Sequence, residues 1–259
     1  MRFQKWQALG NDYVIVERRA LATPLTPERV RALCDRHSGI GADGVLELAP
    51  PDARGFVARL VIHNPDGSQA ELSGNGARQA ALYLRRAGWT DARQFSIQTA
   101  AGEIRPTILS PTTCRLDMGR AVLGETGTAG PFAFQHLRIG NPQTAIRVAD
   151  ADELAALDLA AVGPAIEHDP RFPGRTNVSW FTELDAARIR ARIFERGVGE
   201  TTASGTGACG AAIAHVLHGG NSPVTVVLDG GELEVAVGED LHVELTGWAV
   251  AVFSGEIEG

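Results

Sequence analysis

The five residues from Ser73 to Ala77, SGNGA, return from Ser204 to Ala208 as SGTGA, an offset of 131 positions in a chain of 259 residues. Two other landmarks keep almost the same offset. Gly10-Asn11, ahead of the strand-like YVIV, matches Gly140-Asn141 ahead of TAIRV at 130; Ala101-Gly102-Glu103-Ile104 matches Gly230-Gly231-Glu232-Leu233 at 129. One such match is chance in a chain with 30 glycines, but three in the same order at nearly one spacing point to two halves of similar fold.

Each half reads as a strand, a helix, further strands, the SGxGA turn, a second helix and more strands. The first helix of the first half is TPERVRALCDRH, where Thr26 is a cap and Pro27 a first-turn proline. Its counterpart is LDLAAVGPAIEH. Behind the turns, Ala77, Ala80, Ala81 and Leu84 form one apolar stripe with arginines elsewhere, whereas Ala208 to Leu217 is apolar almost all round, which predicts a buried helix wrapped by sheet. FVARLVIH, FSIQTA, IRARIFE, VTVVLDG and LEVAV read as strands. The chain is therefore expected to be α/β, in two pseudo-symmetric domains at residues 1–117 and 118–247. The boundary falls near residues 115–135, in the glycine-rich VLGETGTAGP, and a last strand at about 248–259 returns to the first domain.

Composition narrows the partners. A net charge of -7 and no Lys/Arg-rich run argue against nucleic-acid binding, which needs a basic patch to neutralise phosphates. With 44% hydrophobic and 21% charged residues, no signal-like N-terminus and no apolar run long enough for a bilayer, the chain reads as globular, cytoplasmic and without a membrane partner. Cys34, Cys114 and Cys209 are scattered, with neither disulfide nor zinc spacing, and His63, His136, His168, His215 and His218 show no ligand spacing. No metal site is expected.

Glycines ahead of a helix let the backbone approach an anion, but serine there is equally an ordinary N-cap. Both readings stay open for Ser73 and Ser204. If a two-fold axis relates the halves, the turns would face each other across a cleft and aim two sets of helix N–H groups at one carboxylate. Ser73 and Ser204 would then flank one carbon, the arrangement needed to invert a stereocentre by removing a proton from one face and delivering one to the other. Glu195-Arg196 is either a surface ion pair or part of the site; its place before the second turn, at an offset of 131 from Asn64, favours the site. Asp66-Gly67 is an ordinary turn pair. Neither glycine turn carries a nucleotide signature.

The segments ALGNDYVIVE, IHNPDGSQAELSGNGAR, IGNPQ, FPGRTNV and ERGVGETTASGTGAC together resemble the successive signatures of the diaminopimelate epimerase family, over nearly the whole chain. The resemblance implies two similar domains, each a rolled mixed or antiparallel sheet around a central helix, a homodimer, and a cofactor-independent isomerase of lysine and cell-wall synthesis acting on a diaminopimelate-like amino acid. It also implies that Gly74, Asn75, Gly205 and Thr206, with Asn11 nearby, hold the carboxylate at the reacting carbon. Asn64, Asn141, Asn177 and Arg196 would read the distal amino-acid end, and Glu195 would meet an ammonium, roles that suit these side chains.

Three positions depart from the family. Its two catalytic thiols are replaced by Ser73 and Ser204, and the histidine two residues after Asn141 is Gln143. A hydroxyl is a far weaker acid than a thiol, whose pKa is about 8.5, and an amide accepts no proton. Cys209, five residues after Ser204 and inside the helix, reads as core and not as a substitute. Three functions follow: an epimerase in which Ser73, Ser204 and Glu195 move the proton; a binder that has lost the chemistry; or an isomerase like the phenazine-biosynthesis relatives, with Glu71 or Asp66 as the proton carrier.

Overall fold

The computed structural model describes residues 1–257 and divides into two compact units, residues 1–116 with the segment from Gly247 onward, and Asp117–Thr246. In the first unit the strand order is Val250–Glu256, Arg2–Ala8, Asn11–Glu17, Val45–Ala49, Ala58–His63, Ile97–Thr99 and Gly102–Ile104, with the short Gln69–Ala70 hung on Ala58–His63. Two neighbouring pairs are parallel, Asn11–Glu17 with Val45–Ala49 and Ala58–His63 with Ile97–Thr99. A parallel pair needs a crossover. The first crossover contains helix α1 (Pro27–Cys34) and the second contains α2 (Gly74–Arg86).

The second unit repeats that plan. Its order runs Val122–Ala129, Phe132–Ile139, Asn141–Arg147, Asn177–Asp185, Arg188–Glu195, Val224–Leu228, Gly231–Val237 and His242–Trp248, with Gly199–Thr201 on Arg188–Glu195. Again two pairs are parallel, Asn141–Arg147 with Asn177–Asp185 and Arg188–Glu195 with Val224–Leu228. Helices α3 (Ala151–Ala156) and α4 (Leu159–Glu167) occupy the first crossover, α5 (Gly205–Leu217) the second. The chain is thus mixed α/β with two similarly built sheets. The chain's last strand takes the edge position in the first unit that Val122–Ala129 takes in the second.

The repeated landmarks mark the same turns. Gly10 and Gly140 both hold positive φ, 84° and 67°, in the hairpins Ala8↔Asn11 and Ile139↔Asn141, where the chain must reverse within one or two residues and glycine does so without strain.

Two expectations are corrected. The stretch VLGETGTAGP, placed in the boundary region, is a strand of the second unit and the start of its hairpin: Gly124 leaves room for the His136 ring and Gly127 for the Phe134 ring of the neighbouring strand. Helix α2 is not a one-stripe helix, because every residue from Asn75 to Leu84 is buried, including Arg78 and Gln79 at 0% exposure. Arg78 turns back to donate to Asn75 Oδ1 three residues earlier, and Gln79 Nε2 donates to the Asn11 carbonyl at 3.0 Å, so each buried polar side chain has a hydrogen bond inside the fold. Helix α5, apolar all round, is buried from Gly205 through His215.

Candidate active site

Ser73 and Ser204 cap α2 and α5 with nearly identical backbones, φ/ψ of -134°/121° and -133°/123°. Each hydroxyl oxygen accepts from the N–H three residues on, Gly76 at 3.1 Å and Gly207 at 3.2 Å. The glycines at these third positions are dictated by packing. A Cβ on Gly76 would lie 3.1 Å from Leu46 Cδ2 and 3.3 Å from Ser73 Oγ; one on Gly207 would lie 2.7 Å from Ile193 Cδ1 and 3.1 Å from Ser204 Oγ. Since the first turn of a helix has N–H groups with no intrahelical acceptor, each SGxG turn presents donors and a partial positive charge suited to a carboxylate.

In the first unit, the Tyr13 hydroxyl donates to Ser73 Oγ at 3.3 Å. Tyr13 is buried, on the strand that begins at Asn11, and its ring lies where a Cβ on Gly44 would stand. The Asn11 side-chain amide donates to Asp43 Oδ2 at 2.8 Å. Asp43 is held in turn by Arg36, which also binds Asp12 together with Lys5. Burial would raise the Asp12 pKa, but the hydrogen bonds and charges of Arg36 and Lys5 outweigh it and bring it to about 2. Asn64 is half-buried and closes the turn to Ser68, with Nδ2 donating to Ser68 Oγ at 2.9 Å. Glu71 is exposed. Asp66 accepts from the Ser68 N–H and hydroxyl, which lower its pKa, so it serves as a turn cap rather than a carboxylate poised to take a proton.

In the second unit, Glu195 ends the strand Arg188–Glu195 half-buried, and its carboxylate accepts the Ser204 hydroxyl proton in a hydrogen bond. Burial raises the Glu195 pKa above 4.5, while the Ser204 bond opposes the rise. Asn177 is buried and its Oδ1 accepts the Arg196 N–H at 2.8 Å. The exposed Arg196 guanidinium donates to the Gly174 carbonyl at 2.7 Å. Glu195, Arg196 and Asn177 are thus joined to the start of α5 through Ser204. Thr206 is buried in the first turn, whereas Asn141 is exposed at the start of its strand. Gln143 lies fully buried against Gly210 of α5, and neither atom of its amide head has a hydrogen-bond partner. A buried amide without partners costs stability.

The two hydroxyls therefore differ in their second partner. Ser73 accepts from two donors, Tyr13 and Gly76; Ser204 accepts from Gly207 and donates to a carboxylate. Tyr13 and Asp43 were not among the residues drawn from the sequence. Tyr13 had a signal, since it stands 130 positions before Gln143, as Gly10 does before Gly140. Cys209 is fully buried, and Cys34 and Cys114 are buried as well. Among the described residues no cluster of three His, Cys, Asp or Glu side chains is placed to hold a metal, and no helix is long and apolar enough to cross a membrane.

Comparison with known sequences fits this plan. The family profile described as diaminopimelate epimerase matches residues 3–124 and 136–252. The diaminopimelate epimerase of Azoarcus sp. (strain BH72) is 39% identical over 278 aligned positions, covering 100% of this chain and 99% of the relative. The chain belongs to the diaminopimelate epimerase family. Another family relative, from Synechocystis sp., is 37% identical over 100% of this chain and 99% of its own length. Solved structures share the fold at lower identity. A putative phenazine biosynthesis protein of Clostridium difficile has a TM-score of 0.74 at 12% identity, covering 100% of this chain and 99% of its own. A predicted epimerase of Pseudomonas aeruginosa has 0.72 at 19%, covering 99% and 98%. The chain is accordingly an isomerase of the amino-acid epimerase class.

Proposed function

We propose that this chain interconverts L,L- and meso-diaminopimelate without a cofactor, using Ser73 and Ser204 where the family uses thiols. Above all the reading rests on the Glu195 carboxylate hydrogen-bonded to the Ser204 hydroxyl at a helix start. As Ser204 Oγ takes the α-proton, its own proton passes to Glu195, so the charge moves onto a carboxylate and never rests on a free alkoxide. The raised pKa of Glu195 makes it a better proton acceptor than an ordinary glutamate. The carbanion left behind is conjugated with the substrate carboxylate, whose growing charge the first-turn N–H groups of Gly74, Gly205 and Thr206, with Asn11 and Asn75, are suited to hold. Ser73 supplies the proton for the other face.

The domains 1–117 and 118–247 belong to the same reading, with α2 in the first and α5 in the second. Asn64, Asn141, Asn177 and Arg196 recognise the distal carboxylate and amine, and Glu195 also meets an ammonium. A homodimer working in the cytoplasm belongs to the same reading and rests on the family alone.

Gln143 favours a second reading. With an amide where the family has a histidine, and hydroxyls for thiols, the chain would bind diaminopimelate without epimerising it. Proton NMR of the protein with L,L-diaminopimelate in D2O separates the two. Loss of the α-proton signal supports the epimerase; ligand line broadening without exchange supports the binder; neither effect sinks both.

A further inference from the structure

The two serines have the same cap but different groups behind them, and only the one behind Ser204 is part of the reading above. Behind Ser73 stands Tyr13, sixty residues earlier in the chain, with its hydroxyl 3.3 Å from Ser73 Oγ. That is longer than the ~2.7–2.8 Å of a settled hydroxyl pair, as expected of a site whose bonds tighten only around substrate. The contact is built in. Tyr13 is buried on the strand that starts at Asn11, and its ring fills the space left by the missing side chain of Gly44. A hydroxyl oxygen has two lone pairs, and those of Ser73 are taken by Tyr13 O–H and Gly76 N–H, so the Ser73 proton points elsewhere.

We infer that Tyr13 acts through Ser73 as a positioning residue, aiming the serine proton and replacing it from the phenol once it has gone to the substrate. The step balances. The Ser73 Oγ–H bond breaks and a Cα–H bond forms; the Tyr13 O–H bond breaks and Ser73 Oγ–H is remade; the phenolate is reprotonated from solvent. The charge rests on a phenolate, whose acid ionises near a pKa of about 10, instead of on an alkoxide. Glu195 does the converse for Ser204, where a proton is accepted. The pair therefore gives each hydroxyl an ionisable group behind it, a carboxylate for removal and a phenol for delivery. The inference rests on the reading of Ser73 as a proton carrier.

A thiol placed at position 73 reports the contact without any substrate. In Ser73→Cys, the pH dependence of alkylation by iodoacetamide gives the thiol's ionisation midpoint; the same profile in Ser73→Cys/Tyr13→Phe removes only the phenol hydroxyl. A donor hydrogen bond favours the thiolate, so the midpoint should rise by about one pH unit in the double variant, a tenfold loss of thiolate at fixed pH. The native thiols give little background, since burial pushes Cys34 up to about 11 and Cys114 up to about 12, and Cys209 is fully buried. An unchanged midpoint overturns the inference. Matching thermal unfolding of the two variants excludes a folding artefact.

A second measurement uses the native serines. With diaminopimelate isomers in D2O, Tyr13→Phe should lower inversion about tenfold or more while exchange with retention persists for the isomer whose proton leaves through Ser204. An equal fall in both would mean that Tyr13 is only structural. If the unaltered chain exchanges nothing, the epimerase reading falls and the thiol titration still decides the Tyr13 contact.

Discussion

The starts of α2 and α5 are the same object in backbone and different in chemistry. Their caps agree within two degrees in φ and ψ, their hydroxyls reach the third N–H at 3.1 and 3.2 Å, and both third residues are glycine. What differs is what touches the hydroxyl from outside the helix: a phenol donor in one unit, a carboxylate acceptor in the other. A duplicated turn keeps what its own backbone requires. The neighbouring strands are free to diverge, and a reaction that takes a proton at one place and gives one at another needs them to.

The sharpest break in that comparison is Glu195→Gln. Removing the acceptor behind Ser204 should lower α-proton exchange in D2O by about 100-fold or more, the usual size of a general-base loss. The matching change, Tyr13→Phe, should cost less, because Ser73 keeps its own proton to give. Equal losses would mean that the two ends are not specialised.

The third-position glycines come next. Gly207→Ala would put a methyl 2.7 Å from Ile193 Cδ1 and 2.8 Å from its Cγ2, with the side chain walled in on a central strand, and should destabilise by about 2 kcal/mol. At Gly76 the nearest atom is Leu46 Cδ2 at 3.1 Å, and alanine's better helix propensity of about 1 kcal/mol should nearly cancel the strain. Urea midpoints of the two variants test this. A larger loss at Gly76 would mean that the first unit packs its helix the more tightly.

Much of this architecture is legible in the amino-acid order, for a physical reason. Hairpin glycines and helix caps are local demands, so Gly10 and Gly140, or Ser73 and Ser204, recur at nearly one offset wherever the same turn is needed. The cap and the glycine that permits it are three residues apart and visible together. Contacts made across the sheet are not. Tyr13 meets Ser73 across sixty positions, and only its equivalence to Gln143 hints at it. Arg78 looked like a surface residue because arginine seldom goes fully inside; its burial depends on Asn75 one turn earlier, a pairing a hydropathy stripe ignores. The glycines of Val122–Ala129 suggested a domain boundary because their use, making room for His136 and Phe134, belongs to the neighbouring strand.

Ser73→Ala and Ser204→Ala should each cost about 1 kcal/mol in thermal unfolding, the ordinary value of a lost N-cap. The Ser204 variant should cost slightly more, since it also strips a hydrogen bond from the half-buried Glu195 carboxylate. A clearly larger loss at Ser73 would point to Tyr13 as the more dependent partner.

The smallest effect lies in the pH dependence, and its sign separates the two ends. Glu195 has its folded-state pKa raised by burial, so the folded chain takes up a proton there before the unfolded chain does. Its contribution is therefore complete below about 4.5 and is lost as pH rises through the folded value. The group that contacts the Ser73 hydroxyl is instead a phenol, whose ionisation lies near a pKa of about 10. Measured against Glu195→Gln, the parent should be at its relative best in mild acid and should fall behind as the pH approaches neutrality. The Tyr13→Phe variant should track the parent over the same range. Asp12 works in the opposite direction, its stabilisation present above about 4 and lost as pH falls toward about 2, so the comparison belongs between about pH 5 and 7, where Asp12 is ionised in both states. If the Gln variant and the parent run parallel across that window, Ser204 holds the Glu195 carboxylate as firmly as water would, and the two helix starts differ less in electrostatics than in shape.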